Sequence, residues 1–476
     1  MKRNLCCILP AALILTGCNS FRGYDQIPAP AAEKSSIQPV GNWDTDNNYE
    51  GIAATKEPTL LSFTSANGLC RMDVKQSYYD VTLDLSSGDH YAAGAAYSEL
   101  LMQLSEKTAK DFEKQTEDYI YESLATVYSS DDSLQRIGIK KEEKPQLIQE
   151  RVRKLKSLLP EKYRQELNGF ASGFHGGDSG FVQDGKLSQD EVDLISLVPD
   201  VLRETACSAI SLDGSRTASG KRLTGRLLEW DLGKGNRMSE AHCVLHFQDG
   251  DHSVTSVCSV GQLDVITGIN THGVFAGDLD VGSKNEAFSL NDESLSYTFS
   301  LREALETCKS ARELGEYMNR LAPRFTYNHN LIITDEAEAL VAENSHTETD
   351  GKPLLRDQNT ALLDGLNWNA KGCICAVNSF AAQGQYDAMT TTRSNVVRWV
   401  KYDRLFAEEK EPISLARFKA LMTAEKTDSA YHDIRSNGLV FLVIVDYDSH
   451  TLQTAFTGKD GIVDKPGFLE ISEFGT

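Results

Sequence analysis

The spacing of apolar and polar residues divides the chain into two unlike parts. Before Arg203 the apolar positions recur at intervals of three and four with charges between them, most clearly over Ala92–Tyr128 and Lys141–Leu159, which predicts amphipathic helices. From Cys207 onward, short runs rich in β-branched and aromatic residues are separated by turn residues, which predicts strands. These predicted strands are Ala241–Phe247, Ser253–Val260, Leu331–Thr334, Leu439–Tyr447 and Thr451–Phe456.

Two helical stretches interrupt the strand-rich part, at Ser300–Leu321 and Arg393–Phe406. Strands that lie before and after helices, rather than in strict alternation with them, indicate an α+β fold with antiparallel sheets. A turn-rich segment, Asp184–Glu191, resembles half of a calcium loop but lacks the first oxygen ligands. We interpret it as the start of a helix, with Ser188 as the N-cap and Glu191 completing a capping box.

The N-terminal segment has the features of an export signal. Two basic residues precede an apolar run, Leu5–Leu15, which is shorter than the ~20 residues that a membrane-spanning helix needs. This order predicts a signal peptide over residues 1–17. The sequence Leu15-Thr16-Gly17-Cys18 resembles the lipobox of bacterial lipoproteins, which implies a lipid on Cys18 and attachment to a membrane of the cell envelope. Residues 18–60 are polar and irregular, so we expect a tether there.

Composition narrows the classes of function. The net charge of −21 argues against a nucleic-acid partner, because phosphate binding depends on Lys and Arg. Ten cysteines are present, of which two lie in the predicted signal peptide and one is Cys18. The remaining seven are an odd number, which indicates at least one free thiol. Cys373 and Cys375 have no second pair at zinc spacing, so we expect no metal site and no cofactor.

The junction between the two parts carries the candidate chemistry. It reads Glu204-Thr-Ala-Cys-Ser-Ala-Ile-Ser-Leu212 and then, one predicted strand later, Thr224-Gly-Arg-Leu-Leu-Glu-Trp-Asp231. These segments resemble the cysteine N-terminal-nucleophile (Ntn) hydrolases of the linear-amide class. That class includes the acyl-coenzyme A:6-aminopenicillanate acyltransferases and the choloylglycine (bile-salt) hydrolases. In it a cysteine that begins a strand is followed by a Gly-Arg/Gln-Asn-x-Asp/Glu strand, and here Leu227 stands where Asn is usual.

Further segments resemble the same families and follow in the same order, so that the match covers about residues 80 to 460. They are Leu85–Tyr97, Glu166–Gly173, Gly268–Gly277, Asn330–Asp335 with Glu343, Ala376–Phe380 and Asn395–Val400. The resemblance implies a four-layer αββα sandwich over residues 207–476. It also implies that residues 61–206 form a helical pro-segment, or a small subunit that stays associated after cleavage.

Elementary chemistry explains why such enzymes expose a cysteine at a chain terminus. A cysteine attacks as the thiolate, and a free thiol has a pKa near ~8.5. An N-terminal cysteine carries its own base, because its α-amine titrates near ~7.7–8.0. Inside an intact chain that nitrogen is an amide and cannot take the proton. The resemblance implies that the thiol of Cys207 attacks the carbonyl of Ala206 and frees the amine by autocatalytic cleavage.

The resemblance also assigns roles to individual residues. Arg226 favours the thiolate, and the acid that orients the α-ammonium is Glu229, with Asp231 as the alternative. Asn378 matches the asparagine that donates to the oxyanion. Asp280 stands where a second donating asparagine is usual, which leaves that donor in doubt because a carboxylate donates only when protonated. The late arginine of the families corresponds to Arg398, and Arg393 is a weaker match.

The sequence therefore predicts a self-processing amidase that hydrolyses a linear, non-peptide amide of a small molecule through an acyl-enzyme. An acyltransferase of the same fold is the alternative within the family. A papain-like hydrolase needs a histidine partner, and we interpret His175 and His272 as polar loop residues. A non-catalytic surface lipoprotein that binds a ligand or partner also stays open, because Leu227 and Asp280 depart from the family pattern.

Overall fold

The computed structural model describes residues 43–108, 110–140, 146–177, 180–202, 207–285, 288–389, 393–426, 438–461 and 465–475. The predicted signal peptide, the lipid-bearing Cys18 and Ala206 lie outside the described residues. Among the residues that are described, no helix combines the length and the apolar character needed to cross a membrane.

The first part of the chain contains strands as well as the predicted helices. The strands are β1 (Trp43–Asp44), β2 (Leu61–Thr64), β3 (Cys70–Val74) and β4 (Tyr79–Asp84). The helices are α1 (His90–Thr108), α2 (Phe112–Tyr128), α3 (Asp131–Arg136), α4 (Gln146–Leu158), α5 (Glu161–Ala171) and α6 (Gln189–Leu202). The prediction of a helical segment over residues 61–206 is therefore incomplete, because strands β2 to β4 precede the helices.

Local capping explains where α6 begins. The side-chain carboxylate of Glu191 accepts from the backbone N–H of Ser188 at 2.8 Å, and the Ser188 hydroxyl accepts from the Glu191 N–H at 3.4 Å. This reciprocal pair is the capping box that the sequence predicts. The turn-rich segment before Gln189 therefore starts a helix.

The predicted tether ends earlier than residue 60. Strand β1 pairs with β15 (Glu425–Lys426), and Thr55 forms a bridge with Leu469. Tyr49 is buried, and its hydroxyl donates to the carbonyl of Pro466 at 3.1 Å. The prediction fails from Trp43 onward because a few apolar side chains in a polar stretch are enough to dock it on the folded body.

The second part of the chain contains groups of consecutive strands that are separated by pairs of helices. Its strands before the middle helices are β5 (Ser208–Leu212), β6 (Leu223–Glu229), β7 (His242–Asp249), β8 (His252–Ser259), β9 (Thr267–Asn270) and β10 (Phe275–Asp280). Later strands are β11 (His329–Thr334), β12 (Ala339–Asn344), β13 (Leu354–Arg356), β14 (Cys373–Val377), β15, β16 (Leu439–Asp446), β17 (Thr451–Phe456) and β18 (Leu469–Glu473). The helices are α7 (Tyr297–Thr307), α8 (Ala311–Leu321), α9 (Arg393–Glu408) and α10 (Leu415–Met422).

The single helical stretch predicted in the middle of the chain forms two helices in the structure, α7 and α8. The stretch Ser300–Leu321 breaks after Thr307, where Cys308 takes an extended conformation. Ser310 then caps α8 by accepting from the N–H of Glu313 at 3.2 Å. The apolar spacing continues through this stretch and would allow one helix, but Ser310 can cap a new helix, and the chain breaks there.

Two large sheets organise the described part of the chain. The first has the order β13-β12-β11-β10-β9-β8-β7-β4-β3-β2, and the second has the order β14-β5-β6-β16-β17-β18. Within these sheets every pairing is antiparallel except that of β4 with β7, which runs parallel from Tyr79 opposite Cys243 to Asp84 opposite Gln248. This parallel pair joins the N-terminal strands to the sheet of the second part.

The sheets pack face to face with helices outside. The apolar cluster between the sheets contains Cys207, Leu228, Val244, Ile332 and Phe441. Helices α1, α2 and α4 to α8 pack on the outer face of the first sheet, and α9 and α10 pack on the outer face of the second. These layers confirm the predicted α+β class and the four-layer αββα sandwich.

Candidate active site

Strand pairing brings Cys207 and Arg226 together. Cys207 directly precedes β5, which pairs with β6 so that Ala209 lies opposite Arg226. Both strands are buried along their whole length, so the two side chains meet between the sheets. The Arg226 Nη2 donates to the Cys207 Sγ at 3.5 Å, and both residues are completely buried.

The guanidinium of Arg226 is held by few groups. Its Nη2 also donates to the carbonyl of Asp278 at 2.7 Å, and its carbon lies 5.7 Å from the centre of the Phe441 ring. A Cβ on Gly277 would lie 3.0 Å from the Cγ of Arg226, so a glycine leaves room for the side chain. The Nε and Nη1 have no hydrogen-bond partner among the described residues. Burial lowers the pKa of Arg226, but arginine stays cationic.

The thiol of Cys207 is neutral in the uncut chain at neutral pH. Burial raises its pKa to about 11, against the lowering effects of the Arg226 cation and of the Glu229 backbone N–H, which donates to the sulfur. The carboxyl groups of Asp280 and Asp278 raise the pKa further. A base beside the thiol is therefore needed before the cysteine can react as the thiolate.

Asn378 and Arg398 hold the backbone of Cys207. Strand β14 pairs with β5 so that Val377 lies opposite Ser208, which places the next residue, Asn378, beside Cys207. The Cys207 N–H donates to the Asn378 Oδ1 at 2.7 Å, and the Arg398 Nη1 donates to the Cys207 carbonyl at 2.5 Å. Arg398 also donates to the Asn378 Oδ1 at 3.0 Å, so the three residues form one connected group.

Asn395 completes this group, although the family resemblance covers the segment Asn395–Val400 without giving Asn395 a role. Its Oδ1 accepts from the Arg398 Nη2 at 2.7 Å, and its Nδ2 donates to the carbonyl of Asn378 at 2.8 Å. Asn395 and Arg398 are three residues apart on α9, so they share a helix face. That spacing was the available signal, although it is common on helices without any functional role.

Replacing Asn395 with alanine is expected to lower kcat about tenfold or more with little change in KM. The reason is that the variant loses a hydrogen bond to a charged group, which contributes about 1.5–3 kcal/mol, and so loosens both Arg398 and Asn378. Steady-state kinetics checks this, with Ser394→Ala as the matched change at the preceding position of α9. Equal kinetics in the two variants would contradict a positioning role for Asn395.

Glu229 does not take the place expected for it. Leu227 packs with the helices outside the second sheet and Leu228 packs between the sheets. Strand alternation therefore puts the Glu229 side chain on the outer face, near Tyr402, whose pKa is raised mainly by burial and in smaller part by the Glu229 charge. Only its backbone N–H faces the sulfur. The same alternation makes Leu227 a packing residue on the outer face. A leucine in place of the usual asparagine therefore does not change the surroundings of the thiol.

Asp231 closes a turn after β6. Its Oδ1 accepts from the Gly233 N–H at 2.9 Å, and its carbonyl accepts from the Tyr119 hydroxyl at 2.8 Å. The N–H of Cys207 points to the amide oxygen of Asn378 instead. In the uncut chain the Cys207 nitrogen therefore contacts Asn378, and the assignment of the acid to Glu229 or Asp231 stays a prediction for the cut chain.

Asp280 contributes its backbone to the site. Its carbonyl accepts from the Asn378 Nδ2 at 2.8 Å, and its carboxyl accepts from the Tyr297 hydroxyl at 3.4 Å. The neighbouring Asp278 is fully buried, and burial raises the pKa of that carboxyl well above its usual range. Asp280 therefore positions Asn378 through its main chain.

The remaining candidates lie elsewhere. The ring of His175 contacts Glu113 at 2.7 Å, and the ring of His272 packs 5.6 Å from that of His252. Arg393 is the first residue of α9. Over the described ranges, no group of three or more His, Cys, Asp or Glu side chains could hold a metal ion.

No protein-family profile and no curated protein matches the chain. Among solved structures, the chain is similar to a Caenorhabditis elegans ortholog of N-acylethanolamine-hydrolyzing acid amidase, at 14% identity and a TM-score of 0.34, over 50% of this chain and 92% of that one. It is also similar to a variant of conjugated bile acid hydrolase from Clostridium perfringens, at 12% identity and a TM-score of 0.33, over 57% and 98%. A third likeness is to penicillin V acylase from Agrobacterium tumefaciens, at 12% identity and a TM-score of 0.31, over 52% and 83%. Likenesses this distant assign no reaction or substrate to this chain.

Proposed function

We propose that this protein is an amide hydrolase that cuts itself before Cys207 and uses the exposed cysteine as its nucleophile. The observation that supports the proposal is the arrangement at Cys207. A buried cation, Arg226, contacts the thiol, while Asn378 and Arg398 hold the nitrogen and the carbonyl of the same residue. A cysteine that served only as a packing residue would need none of these contacts.

Self-cleavage follows from the same groups. The thiol of Cys207 attacks the carbonyl carbon of Ala206, so that a C–S bond forms, the C–N bond breaks and the nitrogen takes up the proton of the thiol. Water then breaks the C–S bond and leaves a carboxylate on Ala206 and a free thiol on Cys207. Asn378 holds the departing nitrogen throughout, because its Oδ1 already accepts from that N–H.

The turnover of an amide substrate repeats this chemistry with a new base. The freed α-amine of Cys207, whose pKa in model compounds is ~7.7–8.0, takes the proton of the thiol, and Arg226 stabilises the thiolate. The thiolate attacks the carbonyl of the substrate, the amine leaves with a proton, and water hydrolyses the acyl-enzyme. If an amine outcompetes water at that step, the same site acts as an acyltransferase.

The proposal extends to where the protein works. Export through the segment 1–17 and a lipid on Cys18 would place the enzyme in the cell envelope, tethered to a membrane. Coenzyme A thioesters are cytoplasmic acyl donors, so this location favours hydrolysis. The reaction needs no cofactor, because the cysteine supplies both the nucleophile and the base.

The two fragments are expected to stay together after cleavage. Strand β4 pairs with β7 across the cut, and the fully buried Arg302 donates two hydrogen bonds to the Glu166 carboxylate, at 2.5 and 3.0 Å. Asp200 accepts from the Tyr297 N–H at 2.8 Å. Separation would expose to water the apolar core that the two fragments share, which makes it costly.

The experiment is mass analysis of the purified chain without residues 1–17. Under denaturing conditions we expect two masses, one of which corresponds to Cys207–Thr476. Size-exclusion chromatography without denaturant should give one species that contains both fragments and hydrolyses simple amides. A folded chain that stays whole would overturn the proposal and favour the ligand-binding lipoprotein instead.

A further inference from the structure

The last turn of α6 is held by groups from the second part of the chain. At the end of a helix the last four carbonyls have no partner within the helix itself. Here the hydroxyl of Tyr297 donates to the Pro199 carbonyl at 2.9 Å, and the hydroxyl of Tyr327 donates to the Val201 carbonyl at 3.0 Å. Both tyrosines are completely buried. The end of α6 is therefore fixed by residues that follow the predicted cleavage site in the sequence.

The carboxylate of Asp200 adds three hydrogen bonds between these two carbonyls. Its Oδ1 accepts from the Tyr297 N–H at 2.8 Å, and its Oδ2 accepts from the hydroxyls of Ser296 and Thr298, each at 2.7 Å. Burial raises the pKa of Asp200 to about 6, against the lowering effect of these hydrogen bonds, so the group is charged at neutral pH. It also lies at the N-terminal end of α7, where a helix favours a negative charge. A buried carboxylate with three donors holds the end of α6 in one position.

These contacts lie close in the sequence to the bond that is proposed to break. Only four residues separate Leu202, the last residue of α6, from Cys207. Such a segment spans at most roughly 18 Å, so the position of α6 limits where the carbonyl carbon of Ala206 can lie. On the other side of the bond, Asn378 and Arg398 hold Cys207. The segment is therefore anchored at both of its ends in the uncut chain.

The side chain of Tyr297 connects the two anchors. Its hydroxyl lies 3.4 Å from the Oδ1 of Asp280, the last residue of β10. The carbonyl of Asp280 accepts from the Asn378 Nδ2, and the Oδ1 of Asn378 accepts from the Cys207 N–H. The Tyr297 ring stacks on the ring of His329, with 4.6 Å between the ring centres, and His329 pairs with Asp280 across β10 and β11. One buried side chain thus contacts the chain before the cut and a residue that positions the nucleophile.

We propose that Asp200 and Tyr297 are positioning residues for self-cleavage. By fixing the end of α6 they hold the carbonyl carbon of Ala206 within reach of the Cys207 thiol. The proposal rests on the function proposed above. It gives Asp200 no part in the turnover of substrate, because after the cut the end of α6 and Cys207 belong to separate chains. A misplacement of reacting atoms by about 1 Å can slow an enzymatic reaction about 10²-fold, which sets the size of the expected effect.

Pulse labelling during cell-free synthesis tests the proposal. A short pulse and a chase give the rate at which the chain without residues 1–17 is converted into two fragments. We expect Asp200→Ala to slow this conversion about 10²-fold, and Asp200→Asn to slow it less, since asparagine keeps one acceptor oxygen in the same place. Tyr297→Phe keeps the ring and should slow the conversion about tenfold, because the buried Pro199 carbonyl loses its donor.

The matched control is Ser196→Ala. Ser196 lies one turn earlier on α6, and its hydroxyl accepts from the Leu263 N–H at 2.9 Å, so this variant also loses a buried contact across the cut. It should cleave itself at the wild-type rate. Equal slowing by Ser196→Ala and Asp200→Ala would show that these contacts act only through stability, and would overturn the proposal.

Turnover by the cleaved enzyme separates positioning from damage to the site. Once Asp200→Asn is fully cleaved, its kcat/KM should equal that of the wild type for the best substrate among straight-chain acyl 4-nitroanilides. A fall in kcat/KM that matches the fall in cleavage rate would contradict the positioning role. Wild-type cleavage rates in both Asp200 variants and in Tyr297→Phe would overturn that role and leave the proposed function intact. A folded wild-type chain that stays whole would overturn the proposed function, and the positioning role with it.

Discussion

Replacing Cys207 with alanine is expected to leave the chain whole and to abolish amide hydrolysis. The thiol supplies the sulfur that forms both the cleavage intermediate and the acyl-enzyme, so no other group in the site can substitute for it. The fold should survive, because an alanine at this buried position removes one sulfur atom from the cluster between the sheets. Denaturing mass analysis and an amide assay measure the two losses in the same sample.

A second cysteine provides the control for this experiment. Cys70 is also buried, at 1% exposure, but it lies on β3 in the core beneath α1. Cys70→Ala should cleave itself and hydrolyse amides at wild-type rates. Cleavage of the Cys207→Ala chain at the same bond would contradict the nucleophile assignment and indicate an external protease.

The sequence predicts the α+β class well because that class depends on strong local patterns, whereas the four-layer sandwich was implied by the family resemblance. The predicted strand Thr451–Phe456 has the bounds seen in the structure, since an apolar run flanked by turns has few alternatives. Strands β2 to β4 were missed because each is short and only half-buried, and the partner of β4 is β7, which is far away in the sequence. Pairings of this kind leave no periodic signal in one segment.

The site was harder to predict where main-chain groups, rather than side chains, make the contacts. Spacing assigned the acid to Glu229, but the alternation of β6 turns that side chain to the other face of the sheet and leaves only its N–H at the sulfur. Asp278 holds Arg226 through its carbonyl, which every residue has. The position of Asn378 is set by the register of β14 against β5. Register and main-chain contacts do not appear in a motif.

Replacing Arg226 with methionine is expected to lower kcat/KM at neutral pH on the order of 10³-fold, because removing the cation leaves the buried thiolate uncompensated, which costs about 3–5 kcal/mol. The sign of the pH effect follows from the thiol. Burial raises the pKa of Cys207 and the Arg226 cation lowers it, so the variant should have a higher thiol pKa than the wild type. The rising limb of its pH–rate profile should therefore move to higher pH, and part of the lost activity should return in alkaline buffer.

The methionine variant keeps an unbranched side chain between the sheets, which separates the loss of charge from the loss of packing. Arg226→Lys should restore part of the rate, since a cation near the sulfur remains. Arg222→Met is the matched control, because Arg222 is buried just before β6 but donates to the carbonyls of Asp335 and Ala337. It should keep the wild-type pH–rate profile even if the protein becomes less stable. A wild-type profile in Arg226→Met would mean that this arginine only packs, and that the α-amine of Cys207 activates the thiol without help from a buried cation.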